Sequence, residues 1–360
     1  MKTLLITLEY PPFRGGVASY YGNLAKYWPI DEKIIVLNNN RGELMSGNKS
    51  LSWLPIIPLL KRRLVTEKFD HLLVGQILPL GTVAYIVSFL QPLKYTIFLH
   101  GMDLSLALKS PRKKFLSKLI LKRADKIICA NTYVKEKLIE NWPLLEDKIK
   151  VVNPGIESGA READPYDLRM IKNSYNLEGK TIILSLGRLV KRKGVDRTIE
   201  ALIKMPEEES KNLIYFIAGA GPRESYLKQL VPLRFAKKII FLGKLSEDEK
   251  WAWLRLCDIF IMPSRDIAGD FEGFGIVYLE ANLCGKPVIA GNSGGIKDAV
   301  VHEVNGLMVD PESVEDIGAA IVRLLKDPGL RQKLGEQGKR RAMKEFRWED
   351  KAREVCQFIK

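Results

Sequence analysis

Two glutamates, Glu272 and Glu280, stand eight residues apart in the stretch DFEGFGIVYLEANLCGKPVIAG. The preceding DIFIMPSR predicts a buried strand and FGIVYLEANLCG predicts a helix, so Glu272 precedes the helix and Glu280 lies about two turns inside it. Eight residues advance a helix by about 12 Å and rotate it by about 80° beyond two full turns. Both carboxylates can therefore face one elongated ligand from its two ends. Between them the amides of Phe274, Gly275 and Ile276 form the positive end of the helix.

Such a layout is suited to a sugar hydroxyl at one end, a diphosphate in the middle and a ribose at the other. The spacing alone is not specific. Glu200 and Glu208 have the same separation in this chain, and their surroundings indicate only a helix end and an exposed loop.

A second group of candidate residues lies in LSLGRLVKRKGVD, where a predicted strand is followed by Arg188 and Lys193. Two cations on one strand-to-helix loop are suited to a diphosphate, because Arg offers a planar fork of donors and Lys a point charge. The alternative is a solvated basic loop, since Lys191 and Arg192 are also present and need no partner.

The first half of the chain contributes a glycine pair and a histidine. Gly15 and Gly16 follow the first predicted strand and precede a helix, where backbone can pass close to an anion; a simple turn explains a bare Gly-Gly equally well. His100 ends the fourth predicted strand in FLHGMD. A lone histidine is more often structural, but its place at a strand terminus makes a functional role equally probable.

All these residues follow short apolar runs that alternate with helical patterns. The runs are TLLITL, KIIVL, HLLVG, YTIFLHG, KIICAN and KIKVVNPG, then, after a polar stretch, TIILSLGR, LIYFIAGAG, KIIFLG, DIFIMPS and KPVIAG. This alternation predicts βαβ units and parallel sheets. Because it occurs twice, we expect an α/β protein of two doubly wound, Rossmann-like domains that face each other across a cleft. The first would comprise 1–157 together with the last helix, 346–360, which needs an apolar surface, and the second 158–345.

Composition restricts the class of protein. Of 360 residues, 46% are hydrophobic and 28% charged, which is typical of a soluble globular chain. Four scattered cysteines and three histidines form no metal-ligand pattern, so we expect reduced thiols and no zinc site. No signal peptide is recognisable. The uncharged segment 72–93 is long enough to span a bilayer, but its glycines and prolines favour a strand, a turn and a helix from about Thr82 to Gln91.

The net charge of +14 lies mostly in the first half, which has 23 Lys and Arg against 13 Asp and Glu through Glu157. The segment LKSPRKKFLSKLILKRADK predicts a basic amphipathic helix. Such a helix either lies on an anionic membrane or buries its apolar face on the sheet with solvated lysines, and both can hold. WLPIIPLLKRR adds a second apolar and basic patch. The residues assigned to this membrane or acceptor side are Lys109, Arg112, Lys113, Lys114 and Lys118.

Five motifs in this order, RGGV, HGMD, GRLVKRKG, AGAGPRESYL and EGFGIVYLEANLCGKPVIAGNSGG, resemble the retaining glycosyltransferases of family 4 over nearly the whole chain. Within that family, MPSR followed by a short acidic, glycine-containing loop resembles the phosphatidylinositol-mannoside mannosyltransferases that use GDP-mannose. The resemblance implies two Rossmann-like domains with the last helix crossing back to the first.

The resemblance also implies roles for the candidate residues. Arg188 and Lys193 would bind the donor diphosphate with Gly15 and Gly16 nearby, and Glu280 would hold the ribose hydroxyls. Glu272 would contact the donor sugar near the amides of Phe274, Gly275 and Ile276. His100 would lie by the outer sugar hydroxyls, and the backbone around Leu245 by the nucleobase. Glu272 and His100 are the two residues assigned to catalysis.

The implied reaction moves a hexose from GDP-mannose or a UDP-hexose to a lipid-linked or other glycan acceptor in cell envelope glycan synthesis. Mannose is the hexose expected before any other. The reaction needs no metal or other cofactor, since Arg188, Lys193 and the helix end would stabilise the departing nucleotide diphosphate. Double displacement needs a carboxylate behind the anomeric carbon, and no residue is marked for it. Front-face substitution fits the family better and makes Glu272 a positioning group. We expect a cytoplasmic enzyme, with peripheral association at the inner membrane face as an alternative.

Two other functions are weighed against this one. Two Rossmann-like halves also occur in dinucleotide oxidoreductases, but IAGAGPRESYL lacks the third glycine of the dinucleotide fingerprint. A basic nucleic-acid-binding protein is the other alternative, but the half that holds the phosphate motifs has little excess charge and no aromatic and basic platform. We therefore expect no nucleic-acid partner.

Overall fold

The computed structural model describes residues 1–13, 15–45, 51–157 and 164–360. The chain divides into two compact units, Met1–Gly155 with Phe346–Lys360, and Ile156–Glu345. The sequence-based boundary at 157/158 adjoins residues 158–163, which lie outside the described part of the chain. Each unit is built on one six-stranded parallel sheet. The predicted pair of doubly wound, Rossmann-like domains is confirmed.

The strands of the first sheet are β1 (Lys2–Thr7), β2 (Lys33–Asn38), β3 (His71–Val74), β4 (Tyr95–Leu99), β5 (Lys126–Cys129) and β6 (Ile149–Val151). They lie in the order β2-β1-β3-β4-β5-β6. Strands β3 and β4 are buried along their whole length, as expected for a parallel sheet covered on both faces. The helices are α1 (Gly16–Lys26), α2 (Ile56–Glu67), α3 (Thr82–Leu90), α4 (Met102–Leu108), α5 (Pro111–Arg123) and α6 (Thr132–Asn141).

The segment that was long enough to span a bilayer folds as the sequence predicts, into β3, a short turn at Ile77–Gly81 and α3. Within the described residues, none of the helices combines the length and the hydropathy needed to cross a membrane.

The strands of the second sheet are β7 (Thr181–Leu186), β8 (Leu213–Ala218), β9 (Ile239–Gly243), β10 (Ile259–Met262), β11 (Val288–Gly291) and β12 (Gly306–Val309). They lie in the order β12-β11-β10-β7-β8-β9, so the strand order reverses between β7 and β10. The helices are α7 (Pro165–Ser174), α8 (Val195–Lys204), α9 (Glu207–Ser210), α10 (Glu224–Gln229), α11 (Glu247–Leu256), α12 (Ile276–Leu283), α13 (Ile296–Ala299), α14 (Val314–Lys326) and α15 (Pro328–Glu345).

Two features of this unit differ from the sequence-based description. Strand β12 was not predicted, although it is as long as β3, which was. Helix α12 begins only at Ile276, so Glu280 lies about one turn inside it, and the prediction of about two turns was wrong. The reason is Gly275, whose φ of 76° is left-handed and keeps it outside the helix.

The last helix, α16 (Trp348–Phe358), belongs to the first unit. Its apolar face joins the core formed by α1 and the sheet, where the rings of Trp348 and Tyr20 pack edge to face at 5.2 Å. A side chain on Gly155 would lie 2.7 Å from the Trp348 ring, so the chain can pass this close only with glycine. The predicted return of the last helix to the first domain is confirmed.

Candidate functional site

The crossover between β7 and β10 brings two loops of the second unit to the carboxyl edge of its sheet. Ligands of open α/β sheets bind at such a reversal point. The loop after β7 contains Arg188 and Lys193, and the loop after β10 contains Glu272. A side chain on Gly194 would lie 2.1 Å from the carbonyl oxygen of Pro263, so the two loops pack backbone against backbone. Lys193 and Glu272, which are 79 positions apart in sequence, therefore lie in one site.

Lys193 is the buried cation of this site. Its side chain is 11% exposed, and its Nζ lies 2.6 Å from Oε2 of Glu272, itself 12% exposed. Arg192 completes the cluster, with Nη1 3.3 Å from Oδ1 of Asp270 and Nε 3.8 Å from the same oxygen of Glu272. The Glu272 carboxylate thus lies between two cations.

Arg188 differs from Lys193, because it is exposed and makes no ion pair with any described residue. It lines a shallow depression together with Gly187, Lys193 and Met262. An exposed guanidinium beside a buried ammonium provides positive charge for an anion at this point.

Arg265 joins the two loops through hydrogen bonds. This guanidinium is 3% exposed, and its Nη2 donates to Oδ2 of Asp196 at 2.7 Å. The backbone N–H of Arg265 donates to the carbonyl of Arg192 at 2.8 Å. The buried pair therefore fixes the turn that presents Lys193, a role that the sequence analysis missed because it depends on a contact between distant residues.

Helix α12 starts beside Glu272, and its N-cap is Gly275, which has no side chain to cap the first amides. The first N–H groups of a helix have no partner within it and favour anions. Tyr278 fixes the first turn of α12 to the sheet, because its hydroxyl donates to the carbonyl of Met262 at the end of β10 at 2.5 Å. Phe274 is buried and Ile276 is 39% exposed. The predicted amide group thus lies at the edge of the sheet.

Glu280, one turn further along α12, faces helix α11. Its Oε1 accepts a hydrogen bond of 2.8 Å from Nζ of Lys250. The sequence analysis did not single out Lys250. Leu245 lies on the loop between β9 and α11 and is half-buried.

In the first unit, His100 lies at the carboxyl end of β4 and is partly buried among aromatic rings. The hydroxyl of Tyr21 donates to the carbonyl of Gly75 at 2.7 Å and lies 2.8 Å from Nε2 of His100. Since the phenol has a single proton, Nε2–H of His100 must be the donor to Tyr21. Burial lowers the pKa of His100 to about 4, so the imidazole is neutral at pH 7 and its Nδ1 is an acceptor.

Asp103 holds the turn that follows His100. Its Oδ1 accepts the backbone N–H groups of His100 at 3.0 Å and Gly101 at 2.9 Å. Burial raises the pKa of Asp103 to about 6, although these backbone donors act in the opposite direction.

The two candidate glycines of the first unit, Gly15 and Gly16, lie at the start of α1. A side chain on Gly16 would meet nothing within 4 Å, so the fold itself does not require glycine there. Close approach of an anion to the backbone at this position stays a prediction, with a simple turn as its alternative. Arg14 lies outside the described residues.

The residues of the predicted membrane side lie on α5 and just before it. Helix α5 buries Ser117, Ile120 and Leu121, whereas Phe115 is 64% exposed. Lys109, Arg112, Lys114 and Lys118 are exposed and Lys113 is half-buried. The helix therefore buries one face and also presents an aromatic ring among cations, and its contact with a membrane stays a prediction. Among the described residues, no group of three or more His, Cys, Asp or Glu side chains could hold a metal ion.

Comparison with known proteins is consistent with this geometry. Residues 14–159 match the family model described as Glycosyltransferase Family 4, and residues 169–341 match Glycosyl transferases group 1. The GDP-mannose-dependent alpha-(1-6)-phosphatidylinositol monomannoside mannosyltransferase of Mycobacterium tuberculosis is 27% identical over 100% of this chain and 98% of the relative. The GDP-mannose-dependent monoacylated alpha-(1-6)-phosphatidylinositol monomannoside mannosyltransferase of Corynebacterium glutamicum is 28% identical over 97% of this chain and 95% of the relative.

Among solved structures, Anabaena HepE in complex with UDP superposes with a TM-score of 0.81 at 20% identity, covering 99% of both chains. This likeness supports the fold. The two family models cover the two units and most of the chain, in the order in which the sequence motifs occur. The protein belongs to the family 4 glycosyltransferases and is a hexosyltransferase.

Proposed function

We propose that this enzyme transfers mannose from GDP-mannose to a lipid-linked acceptor at an anionic membrane surface. The observation that supports the donor site best is the pairing at the edge of the second sheet. Lys193 and Arg188 stand beside a helix N-terminus, with the Glu272 and Glu280 carboxylates on either side of it. Mannose and the lipid acceptor are supported by the names of the mannosyltransferase relatives.

In the proposed reaction the bond between the anomeric carbon and the donor phosphate breaks while the acceptor hydroxyl oxygen bonds to that carbon from the same face. The acceptor proton passes to the departing phosphate oxygen, and the configuration is retained. Arg188, Lys193 and the α12 amides neutralise the charge that develops on the leaving diphosphate, so we propose that no metal is required. Glu272 positions the sugar, and neutral His100 accepts a hydrogen bond from one of the sugar hydroxyl groups.

The donor and acceptor are tested with labelled sugar nucleotides and vesicles. GDP-[14C]mannose or UDP-[14C]glucose is incubated with vesicles that contain phosphatidylinositol or its monomannoside, with and without EDTA. We expect label in the lipid fraction from GDP-mannose, undiminished by EDTA, and an α-linked product by NMR. Transfer from UDP-glucose alone would overturn the proposed donor, and loss of transfer in EDTA the absence of a metal.

The membrane surface is supported by Phe115 and, on α4, Met102, which is 71% exposed. The exposed cations beside them, Lys109, Arg112 and Lys118, attract anionic lipid, and salt screens that attraction. We expect the protein to sediment with anionic vesicles at low salt, and the triple glutamine variant of these three cations to remain in the supernatant.

A triple glutamine variant of three exposed lysines of the second unit, Lys211, Lys237 and Lys244, loses the same charge and is the matched control. If both triple variants lose sedimentation equally, net charge rather than this surface causes binding. If neither does, the proposed surface is wrong.

A further inference from the structure

Lys250 is held at three points beside Glu280. Its Nζ lies 2.8 Å from Oε1 of Glu280 and 2.9 Å from Oε2 of Glu247, and 5.0 Å from the centroid of the Trp251 ring. The start of its helix, α11, is fixed by a reciprocal capping box between Ser246 and Glu249. The ammonium group therefore has a defined position relative to Glu280.

The Lys250–Glu280 pair is largely buried, like Lys193–Glu272, and in this it differs from the exposed lysine pairs of the unit. Its two side chains are 15% and 16% exposed, whereas those of Lys228 and Glu224 on α10 are 54% and 32% exposed. Withdrawing two charges from water has a cost that packing of apolar side chains would avoid. Burial lowers the pKa of Lys250, but the carboxylates of Glu280 and Glu247 outweigh it and the pKa is raised overall.

The pair leaves half of the carboxylate available. Lys250 occupies Oε1 of Glu280, and Oε2 has no hydrogen-bond partner among the described residues. A carboxylate oxygen with this freedom can accept from the vicinal hydroxyl groups of a ribose. Without the ammonium, the carboxylate could rotate about its terminal torsion, which has only broad energy minima.

We propose that Lys250 is a positioning residue that orients the Glu280 carboxylate toward the ribose hydroxyls of the sugar nucleotide. This rests on the proposed function, in which Glu280 binds the donor ribose. The consequence is specific: Lys250 sets how strongly the enzyme distinguishes a ribonucleotide from its 2′-deoxy analogue. A pair that only joined α11 to α12 would affect stability and leave that distinction unchanged.

Isothermal titration calorimetry of GDP against 2′-deoxy-GDP, repeated with UDP and 2′-deoxy-UDP, measures this distinction as a ratio of Kd values. A hydrogen bond to a charged group supports a ratio of about 10 to 100 in the wild-type enzyme. We expect Lys250→Met to reduce the ratio at least threefold, with Lys250→Arg close to wild type. Lys228→Met, which removes an exposed lysine of the same unit, is the matched control and should leave the ratio unchanged. Should Lys250→Met fail to fold, Lys250→Ala has the same expectation.

Glu280→Gln separates the two levels of the proposal. If it collapses the ratio while folded Lys250→Met or Lys250→Ala retains the wild-type value, Lys250 does not position the carboxylate, and the proposed function stands. If Glu280→Gln keeps the wild-type ratio, the ribose is not bound there, and both the assignment of Glu280 and the inference about Lys250 fail.

Discussion

The carboxyl edges of the two sheets differ in the charge of the side-chain pairs that they present. The edge of the second sheet has charged pairs, Lys193 with Glu272 and Lys250 with Glu280, all four side chains largely withdrawn from water. The edge of the first sheet has a neutral imidazole and a phenol, His100 and Tyr21, joined by one hydrogen bond.

This difference indicates a division of tasks. Fixed cations bind and stabilise phosphate charge, and their worth rises when water is excluded. A neutral imidazole with one nitrogen already donating offers a directed acceptor for a hydroxyl group and adds no charge. On the proposed function, the charged edge stabilises the departing diphosphate and positions the sugar through Glu272, and His100 accepts a hydrogen bond from a sugar hydroxyl group. Three predictions concern the removal of one partner at either edge, and a fourth concerns His71, which begins β3 at the opposite end of the first sheet.

The largest effect is expected from Lys193→Met. Loss of one preorganised charge on a leaving group lowers kcat by about 100- to 1,000-fold. The control is Lys191→Met in the same turn, since Lys191 is exposed whereas Lys193 is buried; its kcat should stay within about twofold of wild type. Steady-state kinetics with the sugar nucleotide check both, and equal losses in the two variants would mean that the turn acts only through its net charge.

The next effect is expected from Glu272→Gln. The amide keeps the shape of the side chain but weakens its bond to Lys193, and a misplaced sugar costs turnover up to about 100-fold. Because the carboxylate is assigned a positioning role, intact-mass spectrometry during turnover should find no glycosylated enzyme. A covalent sugar on residue 272 of the wild-type protein would refute front-face substitution.

A smaller effect is expected on the neutral edge from Tyr21→Phe. Without the hydroxyl, Nε2–H of His100 loses its acceptor and the carbonyl of Gly75 its donor, which costs about 1–3 kcal/mol per buried group left unpaired. We expect kcat/KM to fall about 10-fold. Tyr20→Phe is the matched control, because Tyr20 also packs edge to face on His100 and its hydroxyl makes only a long 3.4 Å bond to Val152. Equal activities of the two variants would contradict the role of the Tyr21 hydroxyl.

The smallest effect on activity and the clearest on stability is expected at His71, which is 1% exposed and bonded to Thr96 Oγ1 at 2.8 Å. Burial lowers the pKa of His71 to about 4. A histidine with a lowered pKa stabilises the fold above pH 6.5 and loses that contribution as pH falls toward 4, which is about 2 kcal/mol by pH 5.

His71→Gln should therefore reduce the loss of unfolding free energy between pH 8 and pH 5, measured by urea titration. The third histidine of the chain, His302, is 53% exposed, and His302→Gln should leave the pH dependence unchanged. A wild-type pH dependence in His71→Gln would show that His71 is protonated in the folded protein.

Much of the fold could be predicted from sequence because it depends on local pattern. Eleven apolar runs marked eleven of the twelve strands in the described part of the chain, and β12, whose GLMV is as long as the HLLV of β3, was not among them. The depth of Glu280 in α12 was misjudged because of Gly275. The left-handed conformation of Gly275 is a property of the backbone that the letter sequence permits but does not require.

The candidate site could be predicted only in part. Among the cations of KRK, spacing alone does not distinguish Lys193 from Lys191; the family resemblance singled out Lys193, and its burial depends on the Gly194 turn and the packing of this turn on Pro263. The pairs between Arg265 and Asp196 and between Lys250 and Glu280 join residues 69 and 30 positions apart. No spacing rule reaches that far, so the residues that orient the site emerge only from the folded chain.

The most direct measurement of the central claim is the melting temperature of the wild-type enzyme with GDP-mannose, UDP-glucose or no ligand, repeated with Lys193→Met. A ligand that binds only the folded state at 100 times its Kd stabilises it by about 2.7 kcal/mol. We predict a rise of several degrees with GDP-mannose, little change with UDP-glucose, and no rise in Lys193→Met. A rise with UDP-glucose alone would contradict the proposed donor, and no rise with any sugar nucleotide would contradict a donor site at this edge of the second sheet.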